Sequence, residues 1–488
     1  MAISFLEIPS NIRTPGVYVE FDPSQAQGGI SGQRYRVLLA GQRTSSGSVA
    51  ALVKTRITSV ETAKTSFGPG SQLALMAGAF LANNSTTELY CMAVDDDESA
   101  QAASGTLTLT GTATAAGTLA LYVGGQRVRV AVAVDDTAAE VATALAAAVT
   151  AATSLPVTAA ADAGVLTLTA KNKGTSGNDI DLRLNYASDE STPAGLTAAI
   201  VAMSGGSANP DLDELIAALG DDWYHLLAVP WRDSTSLAAL EAELDDRWGP
   251  LRQIEGHCIA ADASDLSGLG TLGNSRNSPH LSIMSSTASP TTPWEWAAGL
   301  CAVAAYYGEV DPARPFQTLG VEGVLAPAEA DRFTRAERNL LLYDGISTHT
   351  VDEDGTVRVE RLITTYKTNA AGADDTAYLN LNAKLTLGYL RYDLRAMIAL
   401  KYPRHKLASD GTRYGDGQAV VTPKTMKAEV VNRARLWETA GLVEGVDYFK
   451  AAMICERNVS DRGRLDIRLN PDLINGFRVA GVQMQFLL

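Results

Sequence analysis

The chain has 488 residues, 46% apolar and 19% charged, an ordinary globular composition with enough length for about three domains. Its net charge of −15 argues against a nucleic-acid binder, and no apolar run approaches the roughly 20 residues that cross a bilayer. The N-terminus lacks a basic start and an apolar stretch, and Cys91, Cys258, Cys301 and Cys455 are scattered without metal-ligand spacing, so cytoplasmic synthesis and buried free thiols are expected.

The charge is uneven. Residues 1–60 carry six basic and three acidic residues, 61–375 carry 17 and 41, and 376–488 carry 17 and 11. The acidic middle reads either as a solvated surface or as one partner in electrostatic complementarity between subunits or with another protein.

In chain order, "TPGVYVEFDPS" sets a Pro-Gly turn before a short strand, Val17, Tyr18, Val19, Glu20 and Phe21, and "SQAQGGISGQ" has the composition of a linker. "RYRVLLAGQ" reads as a buried strand, "SQLALMAGAFLANNS" as a helix and "TELYCMAV" as a strand. The carboxylates Asp95 to Glu98 follow; without ligand spacing they read as a solvated turn.

From 101 to 207 Ala, Thr and Gly dominate, which marks an inserted α+β module. "GTLTLTG", "GTLALYVGGQRVRVAVAV" and "GVLTLTAKN" alternate as strands, with a hairpin turn at Gly124-Gly125. Between them lies a helix with a Thr137–Glu140 capping box and a Val141, Leu145, Val149 stripe. Beyond it helices and strands alternate, as in an α/β fold with a parallel sheet. The expected elements are a helix capped by Asn209 and opened by Pro210, "WYHLLAVPW", "STSLAALEAELDDRW", "GHCIAA", "HLSIMSS", "PWEWAAGLCAVAAYYG" and a helix over "PAEADRFTRAERNLLL". A hairpin follows across Asp354-Gly355.

The last part opens with a long helix stopped at Pro403, then a helix from Thr422-Pro423 to about Gly441. On it Met426, Val430 and Trp437 share one stripe and Lys424, Lys427 and Arg435 the opposite one, with Arg433 bordering the apolar side. "DYFKAAMICER" and "GRLDIRLNP" read as strands. The final "FRVAGVQMQFLL" alternates Phe477 and Val479, shifts phase at Ala480-Gly481, then alternates Val482, Met484, Phe486 and Leu488, as a strand with a bulge does. A frayed end cannot bury these side chains, so the strand needs a partner.

Signals for catalysis are weak. "GLGTLG" (268–273) matches dinucleotide spacing but does not directly follow a strand, and reads better as a glycine-rich turn. His225, His257, His280, His349 and His405 accompany no Gly-x-Ser-x-Gly elbow, and "DEDG" lacks the other ligands of a calcium loop.

At "IPSNIRTPGVYVEFD", "LGNSRNSPHLSIM", "RYDLRAMIALKYPRHKLASDG" and "VVTPKTMKAEVVNRARLWETAGLVEGVDYF" the chain resembles the tail sheath proteins of contractile bacteriophages, of the Mu-like type, over essentially its whole length. The resemblance implies a subtilisin-like α/β sheath core without protease activity or cofactor, an inserted α+β domain, a C-terminal α+β domain and extended terminal arms. The corresponding segments are an arm and linker at 1–33, core at 34–100 and 208–375, the insert at 101–207 and the C-terminal domain at 376–488. It further implies a virion subunit, assembled in the host cytoplasm, that stacks as hexameric rings around a tail tube between baseplate and tail terminator and contracts to drive the tube through the host envelope, with neither nucleic acid nor membrane insertion. Residues 17–21 and 477–488 become intersubunit strands, and Lys424, Lys427 and Arg435 a candidate tube contact. A static tail or capsid protein and a subtilisin-like hydrolase are the alternatives.

Overall fold

The computed structural model describes residues 32–487. The arm strand expected at Val17–Phe21, and Leu488, lie outside the described residues. The chain divides into a large unit, Arg34–Gly388 with the segment from Asn475 onward, and a small unit that takes in Tyr389–Ile474.

The large unit begins with β1 (Arg36–Gln42), β2 (Thr55–Ile57), α1 (Val60–Phe67), α2 (Gln72–Asn83) and β3 (Glu88–Val94). The insert supplies β4 (Ser104–Gly111), β5 (Gly117–Val123), β6 (Gln126–Val132), α3 (Ala138–Ala151), β7 (Val157–Asp162), β8 (Val165–Ala170), β9 (Leu182–Leu184) and β10 (Leu196–Ser204). Then come α4 (Asp213–Leu219), β11 (Leu226–Ala228), α5 (Ser234–Trp248), β12 (Cys258–Asp262), α6 (Leu266–Asn274), β13 (Leu281–Ser285), α7 (Pro293–Val310), α8 (Arg335–Tyr343), β14 (Ile346–Val351) and β15 (Val357–Arg361). The helix α9 (Leu381–Lys401) runs from the large unit into the small one.

One mixed sheet, ordered β15-β14-β13-β12-β11-β1-β3-β2, organises this unit; its strands from β14 to β3 are parallel and the two outermost strands antiparallel. Its central strand β1 is buried on both faces, which is why "VLLAG" is apolar without alternation. Val37 and Leu39 point into a core with Phe80 and Trp296, while Leu38 and Ala40 point into a second core with Trp231 and Leu240. Period-two geometry thus divides one run of residues between two helical layers.

The insert forms two sheets, β10-β4-β8-β7 and β6-β5-β9, and the similar strands "GTLTLT" and "GVLTLT" pair directly, Leu107 opposite Leu166. Gly124 and Gly125 turn the β5–β6 hairpin with φ of 55° and 79°, a conformation that favours glycine. The Thr137–Glu140 capping box forms, and Val141, Leu145 and Val149 are buried against the sheets. Their core is continuous with that of α2 and α7.

Four expectations need correction. Asn209 does not cap a helix: its Oδ1 accepts from the Thr175 amide (3.0 Å) and its Nδ2 donates to Asp233 (2.7 Å), so α4 starts only at Asp213. "GLGTLG" is neither nucleotide loop nor turn but lies inside α6. Asp265 caps that helix, and Gly273 is needed because a Cβ there would meet the Asp344 carbonyl at 2.3 Å. The helix expected from Pro327 begins at Arg335, where Thr334 and Glu337 form a capping box that outweighs the earlier Pro. "DYFKAAM" is helical, α11 (Val446–Ala452), because Val446 and Phe449 bury at a spacing of three.

The rest of the small unit comprises β16 (Lys406–Leu407), β17 (Val420–Val421), α10 (Pro423–Thr439), β18 (Val443–Glu444), α11, β19 (Ile454–Arg457), β20 (Leu465–Arg468) and β21 (Asp472–Leu473). Among the described residues its strands pair as β16–β17, β18–β21 and β19–β20.

Candidate functional site

Open α/β sheets bind ligands beyond the carboxyl ends of their strands, where the strand order reverses. Here that point lies between β1 and β11, and residues 171–179 of the insert cross it as a partial plug, leaving a cavity of about 240 Å³ beside Thr175, Arg232 and Asp262. The Gln42 side chain at the end of β1 donates to the Lys173 carbonyl (2.8 Å) and to Asp96 (2.7 Å). Beyond β11, Arg232 pairs with Asp179 of the insert (2.9 Å) and Asp262 (2.8 Å). Asp96, part of the run read as a solvated turn, also accepts from the Lys173 amide (3.0 Å) and helps hold this plug.

Four of the five histidines are engaged within the fold, while His405 is exposed against the Tyr402 ring. His257 Nε2 lies 2.8 Å from Ser282 Oγ, a nucleophile–base distance, but its Nδ1 lies 3.3 Å from the Lys384 ammonium rather than a carboxylate. Burial, then the Lys384 charge, hold this imidazole well below its ordinary pKa, and Ser282, His257 and Lys384 are all buried. Lys384 also donates to the Gly256 carbonyl (2.7 Å) and to His280 Nδ1 (2.6 Å). His225 accepts the Arg36 amide at Nδ1, and His349 Nδ1 bonds the Ser285 carbonyl. No group of three or more His, Cys, Asp or Glu suited to a metal occurs among the described residues.

On α10, Thr422 caps the helix and Met426, Val430 and Trp437 face the interior. Lys424 and Arg435 are exposed, but Lys427 is half-buried and its ammonium donates to the Met453 carbonyl (2.7 Å) at the end of α11. The three-residue basic stripe is therefore a pair of exposed cations around an engaged one. Arg433, which only bordered the apolar stripe in sequence, is buried and paired with Asp393, whose carboxylate also accepts from Trp437 Nε1 (2.6 Å). Its position beside the apolar stripe was the one available signal; nothing marked Asp393 or Lys384.

Residues 475–487 belong to no strand or helix in the single chain. Phe477 is 77% exposed, Val479 84%, Val482 81%, Met484 84% and Phe486 78%. Five large apolar side chains in one open segment thus face no protein of their own subunit among the described residues. Among the described residues the small unit meanwhile holds two-stranded sheets only, which are marginal in isolation and leave edges open for further strands.

The comparisons agree with an assembly protein. Residues 97–208 match the model of the phage tail sheath protein beta-sandwich domain, 205–365 the central domain and 373–486 the C-terminal domain. The chain is 41% identical to the Mu-like prophage FluMu tail sheath protein of Haemophilus influenzae over 488 residues, all of both chains. Its fold is similar to the anti-feeding prophage helical sheath in the contracted state (TM-score 0.50, 13% identity, 98% of this chain and 99% of that one). It is likewise similar to the PVC sheath of an extracellular contractile injection system, also contracted (TM-score 0.50, 10% identity, 98% of each chain). These relatives are structural sheath proteins rather than enzymes, and this chain belongs to the phage tail sheath protein family.

Proposed function

We propose that the chain is the subunit of a contractile tail sheath that stacks as hexameric rings around a tail tube, between baseplate and tail terminator, and shortens to drive the tube through a host envelope. The observation that carries this reading is the open apolar segment from Phe477 to Phe486 together with two-stranded sheets in the small unit. A donor strand and incomplete acceptor sheets in the same chain suit strand addition between copies, where main-chain hydrogen bonds supply affinity and alternate side chains fix register. Each bond contributes about 1 kcal/mol net, so a few per subunit hold a mesh of many subunits together while the bodies rearrange. The arm strand Val17–Phe21 is proposed as a second such tie.

In this reading the parallel sheet is a subtilisin-like core formed by 34–100 and 208–375, 101–207 is a domain carried on it, and 376–488 is the assembling domain. Lys424 and Arg435 are the exposed cations available to an acidic tube surface, with Lys427 contributing through position only. Contraction requires no nucleotide if the extended sheath is metastable and its release is downhill. The subunit is then a virion component, assembled in the host cytoplasm.

Negative-stain electron microscopy of the purified chain beside a truncation lacking 477–488 tests the reading. Hollow sheaths from the full chain and monomers or isolated rings from the truncation are expected. Identical tubes from both would mean that the terminal segment pairs within its own subunit.

A further inference from the structure

The terminal segment is not open from its first residue. Gly476 lies so close to Pro315 that a Cβ there would meet Pro315 Cγ at 2.5 Å. Gln317 Nε2 donates to the Phe477 carbonyl (3.1 Å), and Arg478 Nη2 reaches Asn382 Oδ1 at 3.5 Å. Asn382, buried in the first turn of α9, spends its amide on the carbonyls of Pro312 (3.2 Å) and Arg314 (2.5 Å). It thereby fixes the loop that carries Pro315 and Gln317 as well as the oxygen that faces Arg478. Beyond Arg478 no hydrogen bond from the segment to the rest of the described chain is present, and the side chains turn fully outward.

We infer that Gly476–Arg478 is a seat that clips the C-terminal segment to its own large unit through Pro315, Gln317 and Asn382, so that the strand given to a neighbouring copy begins at Val479 and tension on it is delivered to the loop 312–317 and the start of α9. This rests on the exchanged-strand reading. A strand hydrogen-bonded into one copy and rooted in another transmits any displacement of the two bodies at the point where it leaves its own subunit. A glycine pressed against a proline ring, a bond to a main-chain carbonyl and a half-buried guanidinium give that point three holds, none of which uses the apolar side chains that a neighbour would bury. The phase shift at Ala480-Gly481 then falls just outside the seat, where the chain must turn from its own surface to the next copy.

Limited trypsin digestion of the full chain, reading cleavage after Arg478, tests the seat without assembly. Gly476→Val, whose side chain cannot fit against Pro315, and the milder Gln317→Ala should each be cut about tenfold faster than the parent, the factor expected when one or two such contacts are lost. Equal cleavage of parent and both variants would overturn the seat. In assembled material, Gly476→Val sheaths should come apart at lower urea than parent sheaths, whereas deletion of 479–488 should prevent sheath formation outright. Variant sheaths as resistant as the parent would show that no tension passes through the seat. A parent chain that forms no sheaths would remove the exchanged-strand reading, and the tension claim with it, while the trypsin comparison still decides whether the seat exists.

Discussion

Arg433 and Asp393 form a buried pair in which the carboxylate is fully enclosed and takes a third bond from Trp437. Removing one member of such a pair leaves the other charge without its compensation, at a cost of about 3–5 kcal/mol. Asp393→Ala is therefore expected to lower the opening free energy of α10 amides by that order, read by native-state hydrogen exchange, and Asp393→Asn to lower it as well because a neutral amide no longer offsets the Arg433 charge. The buried histidines make a second residue-scale prediction. Burial pushes His225 down to about 3 and His349 to about 4, below the ordinary value near 6.5. Unfolding raises both, so the unfolded chain takes up protons first: the neutral histidines favour the folded state fully above about pH 6.5, and that advantage is lost as pH falls toward 4. From pH 7 to 5 each should cost about 2 kcal/mol, and replacing either by Gln should flatten the acid limb of the urea midpoint against pH.

Among elements, helix α10 shows how far amphipathic reading extends. Thr422, Pro423 and the Met426, Val430, Trp437 stripe marked its start and its buried face directly. The opposite stripe was only partly legible, because whether Lys427 is free depends on the Met453 carbonyl, which arrives from α11, itself read from sequence as a strand. Charge reversal of the two exposed cations, Lys424→Glu with Arg435→Glu, is expected to abolish assembly on tail tubes while leaving self-polymerisation intact, as checked by co-sedimentation with purified tubes. Unchanged binding would rule the stripe out. Helix starts were legible at Thr137 and Thr422, which cap their own helices, but not at Thr334, where the earlier Pro327 misplaced the start, nor at Asn209, whose side chain is engaged by Thr175 and Asp233.

For the whole molecule, the insert is bound into the large unit rather than appended to it. Its residues 171–179 lie across the crevice at the carboxyl end of the parallel sheet, held there by Gln42, Asp96 and Arg232. The expectation of a separate segment at 101–207 rests on composition, because its Ala, Thr and Gly content differs from its flanks. The sequence by itself determined the alternation of strands and helices, the parallel sheet, the hairpin at Gly124-Gly125 and the apolar periodicity of the last residues. All of these follow from local propensity and from the repeat of side chains along a strand or helix. Only the tertiary structure decided that Lys384 would meet two histidines, that Arg433 would find Asp393, and that Asp96 of the acidic run would hold the insert. Those outcomes depend on pairings between residues far apart in the chain, which local periodicity does not encode. The terminal segment belongs to both accounts: its alternation is visible in the sequence because side chains repeat every two residues along an extended chain, while only the fold decides that Gly476–Arg478 rest on Pro315, Gln317 and Asn382 and that the apolar side chains from Val479 to Phe486 stay exposed in the single chain.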